Sequence, residues 1–176
     1  MTYFPPIPTS GAMWTTLQQV LEPPSSGPVW YLGPESFARR LTLQGYTLGG
    51  GARPVRQVLW IRGLPRFEAE AVGLLGQARE LLAPGGRVIV VELSIPPAPR
   101  QGRLGRLWIR LGWSHPSDRV ARWFLQAGLS PVCQRWPQGM RAWLVTCSQP
   151  GSPFSHIFPV QSSQAADKMP VVQGGV

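Results

Sequence analysis

The residues able to do chemistry are few and scattered. His115 and His156 lack an obvious acid partner or nucleophile set at catalytic spacing, and no GxSxG, HExxH or P-loop spacing occurs. The motifs that build an activated serine, a zinc-bound water or a phosphate cradle are therefore missing, and no catalytic residue is assigned. Cys133 and Cys147 are the only cysteines. Without CxxC or a histidine at ligand spacing they argue against zinc, iron–sulfur clusters and a disulfide scaffold, and they read as buried thiols in apolar stretches. Two glycine corners and one basic run are left. Gly33-Pro34-Glu35 and Gly49-Gly50-Gly51 are places where backbone can approach a ligand, with Glu35 either turned to that ligand or simply an acid in the first turn of a helix. In the run from Arg100 to Trp113, Arg103, Arg106 and Arg110 share one helical face, and Leu104, Leu107, Trp108 and Leu111 gather on the other. That is the pattern of an interfacial helix on anionic lipid or nucleic acid, and equally of a lid packed on its own domain with solvated arginines.

These features need elements to position them. Met13 to Leu21 has helical spacing and stops at Pro23-Pro24; Val29–Leu32 reads as a buried strand, followed by a helix from Glu35 to Gln44 with Phe37 and Leu41 inward. Tyr46–Leu48 and Val55–Ile61 are the next two strands. The segment from Arg66 to Leu82 is a helix with Phe67, Ala71, Leu74, Leu75, Ala78, Leu81 and Leu82 inward, closed by Pro84-Gly85-Gly86. The β-branched run from Arg87 to Leu93 suits a parallel strand covered on both faces. A helix from Ser117 to Ala127 places Val120, Trp123, Phe124 and Ala127 inward, and Leu129–Arg135 with Arg141–Cys147 form an antiparallel hairpin. This alternation predicts an α/β fold, a Rossmann-like, mostly parallel sheet with helices on both faces and a C-terminal antiparallel hairpin.

The expected organisation is an N-terminal arm and short helix over 1–26, one domain over 27–148 and a flexible tail over 149–176. The chain carries a net charge of +9, and Lys168 is its one lysine. Such a charge either marks a polyanionic partner or reflects a coding bias toward arginine, glycine and proline. No segment approaches the roughly 18–20 uninterrupted apolar residues of a membrane span, and the start has neither a basic n-region nor an apolar h-region. The expectation is a cytoplasmic protein, with peripheral membrane contact open through the basic run.

Two stretches narrow the fold to a family. Ala78-Arg-Glu-Leu-Leu-Ala-Pro-Gly-Gly-Arg-Val-Ile-Val-Val-Glu92 resembles the helix–PGG–strand signature of the class I S-adenosylmethionine (SAM)-dependent methyltransferases, of the type 11 kind. Val29-Trp-Tyr-Leu-Gly33, Phe37-Ala-Arg-Arg-Leu41 and Gly45-Tyr46 are similar to the family's first strand, first helix and second strand. Phe124-Leu-Gln-Ala-Gly-Leu129 looks like the entry to its closing antiparallel pair. The resemblance spans about two thirds of the chain in the family's order, with one strand of the pattern absent between Gly51 and Val55.

The resemblance implies SAM as cofactor, with Gly33, Glu35, Gly49, Gly50 and Gly51 at the binding corner and Arg103, Arg106, Trp108 and Arg110 meeting a substrate or a surface. The sequence departs from the family at that corner. Pro34-Glu35 replaces the rest of the glycine loop, Tyr31 stands where the first strand usually has its carboxylate, and glycines replace the acid that binds the ribose hydroxyls. Three functions stay open: a methyltransferase acting on a small or lipophilic substrate, a non-catalytic methyltransferase-like module (a pseudoenzyme), and a basic RNA-binding protein or RNA methyltransferase.

Overall fold

The structure is a computed structural model that describes residues 11–49, 54–61, 64–65, 67–95, 114–139 and 143–150. Gly50, Gly51, the basic run at 100–113, His156 and the stretch from 151 onward lie outside the described residues. In chain order the elements are α1 (Gly11–Gln18), β1 (Val29–Leu32), α2 (Glu35–Leu43), β2 (Val55–Ile61), α3 (Glu68–Glu80), β3 (Leu82–Ile95), β4 (His115–Pro116), α4 (Ser117–Gln126), β5 (Leu129–Arg135) and β6 (Trp143–Pro150).

The Val88-Ile-Val-Val91 run of β3 is fully buried on both faces, as an interior strand between two helical layers must be. It sits mid-sheet in the order β1-β2-β3-β6-β5, with β4 pairing the far end of β3. Pairs β1–β2, β2–β3 and β3–β4 are parallel, whereas β3–β6 and β5–β6 are antiparallel. The expected α/β architecture, mostly parallel with a closing antiparallel hairpin, is what the chain adopts.

Alternation along the strands divides the interior into two cores. On one face Leu59, Ile61, Ile89, Val91 and Val145 pack against Met13 and Leu17 of α1 and against Phe37 and Leu41 of α2. On the other, Val58, Trp60, Val88 and Val90 pack against Ala71, Leu75 and Ala78 of α3 and against Val120, Trp123 and Phe124 of α4. Burying each of the larger side chains contributes about 1.5–3 kcal/mol. The Arg40 guanidinium lies 4.9 Å over the Trp14 ring, joining α2 to α1.

A polar clamp fastens the chain after α1 to the sheet. Glu22, almost fully buried, takes Arg56 at 3.2 Å and Arg87 at 3.1 Å. The buried Gln57 side chain accepts the Glu22 N–H at 2.8 Å. Arg87 also donates to the Val20 carbonyl at 3.1 Å.

Several local expectations need correction. The second strand shrinks to one parallel bridge, Val29 to Leu48, flanked by Val29 N–H to Thr47 O and Gly49 N–H to Val29 O. Phe67 is 64% exposed because α3 starts at Glu68, two residues later than expected, leaving Phe67 at the N-cap outside the helical stripe. Pro84-Gly85-Gly86 is an irregularity inside β3 rather than a turn before it: Val55 pairs with Leu82 but Gln57 with Arg87. A Cβ on Gly86 would stand 2.8 Å from the Arg56 carbonyl oxygen, so the bulge requires glycine. β6 (Trp143–Pro150) continues three residues past the Cys147 that the sequence pattern predicts, and the expected start at Arg141 lies outside the described residues. The thiols are not both buried, since Cys133 is exposed and Cys147 half-buried; β5 is the sheet edge and its outward alternation sets Cys133 in solvent.

Candidate functional site

Parallel β1, β2 and β3 bring their carboxyl ends to one edge, the place where open α/β sheets bind ligands. Gly33 follows β1 at this edge. The Tyr31 hydroxyl donates to the Pro34 carbonyl at 2.7 Å, folding the phenol back over the turn. A Cβ on Gly33 would meet the Tyr31 hydroxyl at 2.5 Å and Ile61 Cβ at 2.9 Å. The glycine therefore makes room for the chain's own side chains. Burial, and secondarily the Glu35 carboxylate, push the Tyr31 phenol well above its ordinary range, so it stays protonated and remains a donor.

Glu35 opens α2 and pairs with Arg39 one turn on, at 3.3 Å, with both side chains about three-quarters exposed. It faces the outer flank of α2, where it borders a shallow hollow with Thr42 and Leu48. Gly49 lies beside the start of β1, bonded to Val29. At about 3.3 Å per strand residue it is roughly 10 Å along the strand from Gly33. The structure thus brings Gly33 next to Tyr31 and Ile61 and not next to Gly49. Gly50, Gly51, Arg103, Arg106, Trp108 and Arg110 are outside the described residues.

A SAM cradle needs free backbone after the first strand and an acid for the ribose. Here the Pro34 carbonyl is taken by Tyr31, Pro34 has no N–H to give, and Glu35 is held by Arg39. The described residues do not fit the cofactor in that pose.

A second cluster occupies the same edge, and sequence reading missed it. Leu64, just past β2, is held at both backbone groups: its N–H donates to Glu92 Oε2 at 3.2 Å, and its carbonyl lies 3.4 Å from His115 Nε2. Ser94 donates to the His115 carbonyl at 2.7 Å. The His115 ring meets Trp123 edge-on at 4.8 Å. Burial lowers the imidazole's pKa; the Leu64 carbonyl, which favours a protonated ring, only partly opposes this, and Arg119 adds to the lowering. The neighbouring Ser114 hydroxyl is buried with no hydrogen-bond partner among the described residues. Leu64, Glu92, Ser94 and His115 are far apart in sequence, and the one local signal is the polar Glu92 and Ser94 at the end of an apolar strand. As arranged, the carboxylate and the neutral imidazole hold a loop.

Between β1, β2 and α3 runs a groove of about 430 Å³ in which Gln77 and Glu80 join the apolar lining of Trp30, Leu32, Trp60, Leu74, Ala78 and Leu81. Leu48 neighbours β1 on one side, and β2, starting at Val55, does so on the other, with seven residue steps between the two positions. That is too short for a further strand and its covering helix.

No protein-family model matches the sequence, and no curated protein matches it. Solved structures do. The chain is similar to human N-acetylserotonin methyltransferase in complex with SAM, at 12% identity and a TM-score of 0.60, over 78% of this chain and 51% of that one. It is similar to the SAM-dependent methyltransferase SibL in its apo form, at 18% identity and a TM-score of 0.52, over 73% and 45%. It is also similar to PigF with SAH, at 15% and 0.51, over 80% and 48%. The chain spans about half the length of these proteins. At such identities the likeness is one of architecture, and the fold is that of the SAM-dependent methyltransferases.

Proposed function

We propose that this protein is a methyltransferase-fold binding module that does not use SAM as a methyl donor. The observation that carries this reading is the Tyr31 phenol seated on the turn at Gly33, with its hydroxyl on the Pro34 carbonyl. Glu35 turned to Arg39 supports it. Isothermal titration of the full chain with SAM and with its demethylated product tests it. The expected result is no saturation up to about millimolar ligand, an affinity weaker than roughly −4 kcal/mol. One-to-one saturation in the micromolar range refutes the reading.

The rival reading is a methyltransferase acting on a small or lipophilic substrate, in the type 11 manner. Its support is the fold and the buried Glu92–His115 cluster at the ligand-binding edge. The same titration decides between them. The net charge of +9 and the arginines at 103, 106 and 110 support a polyanionic partner, nucleic acid or an anionic membrane, for either form. No helix among the described residues is long and apolar enough to cross a membrane.

A further inference from the structure

β5 and β6 pair antiparallel with Val132 opposite Ser148, Cys133 opposite Cys147 and Gln134 opposite Thr146. Directly opposed residues in such a pair project to the same face, with Cα atoms about 4.5 or 5.5 Å apart according to pair type. Both separations fall inside the roughly 4.4–6.8 Å that a disulfide spans. The chain's two cysteines thus meet across one rung of the sheet, both as free thiols. Their accessibility is unequal. Cys133 is exposed on the edge strand, where a soluble oxidant reaches it, and Cys147 is half-buried on the inner strand, packed against the α1-side core. Burial raises the Cys147 thiol above its ordinary range, and Arg87 and Arg135 pull it partly back. An exposed first thiol with a sheltered second thiol beside it is the arrangement of an attacking and a resolving cysteine.

We propose that Cys133 and Cys147 form a cross-strand dithiol that closes to an internal disulfide when it meets a disulfide oxidant such as oxidised glutathione. In the first step the Cys133 sulfur, having lost its proton to solvent, attacks one glutathione sulfur. The glutathione S–S bond breaks, and one glutathione leaves as a thiolate that takes up a proton. In the second step Cys147, deprotonated in turn, attacks the Cys133 sulfur of the mixed disulfide, and the second glutathione leaves and is protonated. The dithiol gives up two electrons and two protons, and one glutathione disulfide becomes two glutathiones. The bond staples the sheet's edge strand to its neighbour and closes the hairpin between them, which restricts the unfolded chain and raises thermal stability.

This rests on strand register and stands apart from the question of SAM. The full-length folded chain is incubated with oxidised glutathione, quenched with an alkylating thiol reagent and weighed intact. The expected species is lighter than the reduced protein by two hydrogens, carries no alkyl group, and regains two alkylatable thiols after dithiothreitol. Cys147→Ser, checked for folding by circular dichroism, is expected to stop at a single glutathione adduct that persists. The oxidised wild type is expected to melt several degrees higher than the reduced form. The proposal is overturned if both wild-type thiols remain alkylatable, if the reaction stops at glutathione adducts, or if the disulfides formed link separate chains.

Discussion

Gly33→Ala tests whether the glycine after β1 is there for the protein's own packing. The added methyl would stand 2.5 Å from the Tyr31 hydroxyl oxygen, and 2.9 Å from both Ile61 Cβ and the ring carbon bearing that hydroxyl. The phenol can swing out, which surrenders its bond to the Pro34 carbonyl, a loss of about 1 kcal/mol. Ile61 Cβ cannot rotate away, because it is fixed to β2, so the turn or the strand must shift, and overpacking of this kind costs about 1–3 kcal/mol. A destabilisation of about 2–4 kcal/mol follows, at least roughly a thirtyfold change in the folding equilibrium. Urea denaturation monitored by tryptophan fluorescence measures it, with the same substitution repeated in a Tyr31→Ala background. If the phenol is the obstacle, the methyl costs about 1 kcal/mol less there, the coupling typical of residues in contact. A cost below about 0.5 kcal/mol, or the same cost in both backgrounds, refutes the account of this corner.

Glu22→Gln leaves Arg87 partly buried without its carboxylate. Removing one partner of a buried pair costs about 3–5 kcal/mol, discounted here to about 2–3 kcal/mol because the Arg56 and Arg87 side chains keep 46% and 24% exposure. Chemical denaturation showing a loss under about 0.5 kcal/mol would contradict the clamp. His115 has a folded pKa lowered from the ordinary value near 6.5, so folding favours its neutral form. Its contribution is therefore present above about pH 6.5 and lost as pH falls below that value. Melting curves from pH 5 to 8 should show His115→Gln with a flatter acid limb than wild type, and parallel limbs would dismiss the imidazole as the cause.

Much of the scaffold was legible where one periodicity ruled a segment. β1, β2 and β5 fall on the residues the apolar runs predict, and Val120, Trp123, Phe124 and Ala127 are all buried as the helical stripe predicts. Failures came where neighbours decide. Tyr46–Leu48 has strand composition but, among the described residues, finds only one rung of partner backbone, at Val29. Cys133 sits in an apolar context, and only the edge position of β5 shows that it is wet. At the candidate site, the departures at Pro34 and Tyr31 were visible in the residue types. That the phenol itself fills the turn was not, because it depends on Ile61 arriving from β2. The grip of Glu92 and His115 on Leu64 joins residues up to 51 positions apart and leaves no local pattern.

The placement of α1 bears on how the chain is made. Met13 and Leu17 share a core with Trp143 and Val145, and Arg135 reaches the Gln19 side chain at 2.6 Å across 116 positions. α1 therefore leaves the ribosome well before some of its packing partners, which lie more than a hundred residues further along the chain. Contacts of such sequence separation form slowly, and until β6 is synthesised the apolar face of α1 lacks part of its cover. Nascent chains stalled before Trp143 should accordingly depend on chaperone binding, whereas chains released after Pro150 can close the sheet and shelter that helix in a single cooperative step.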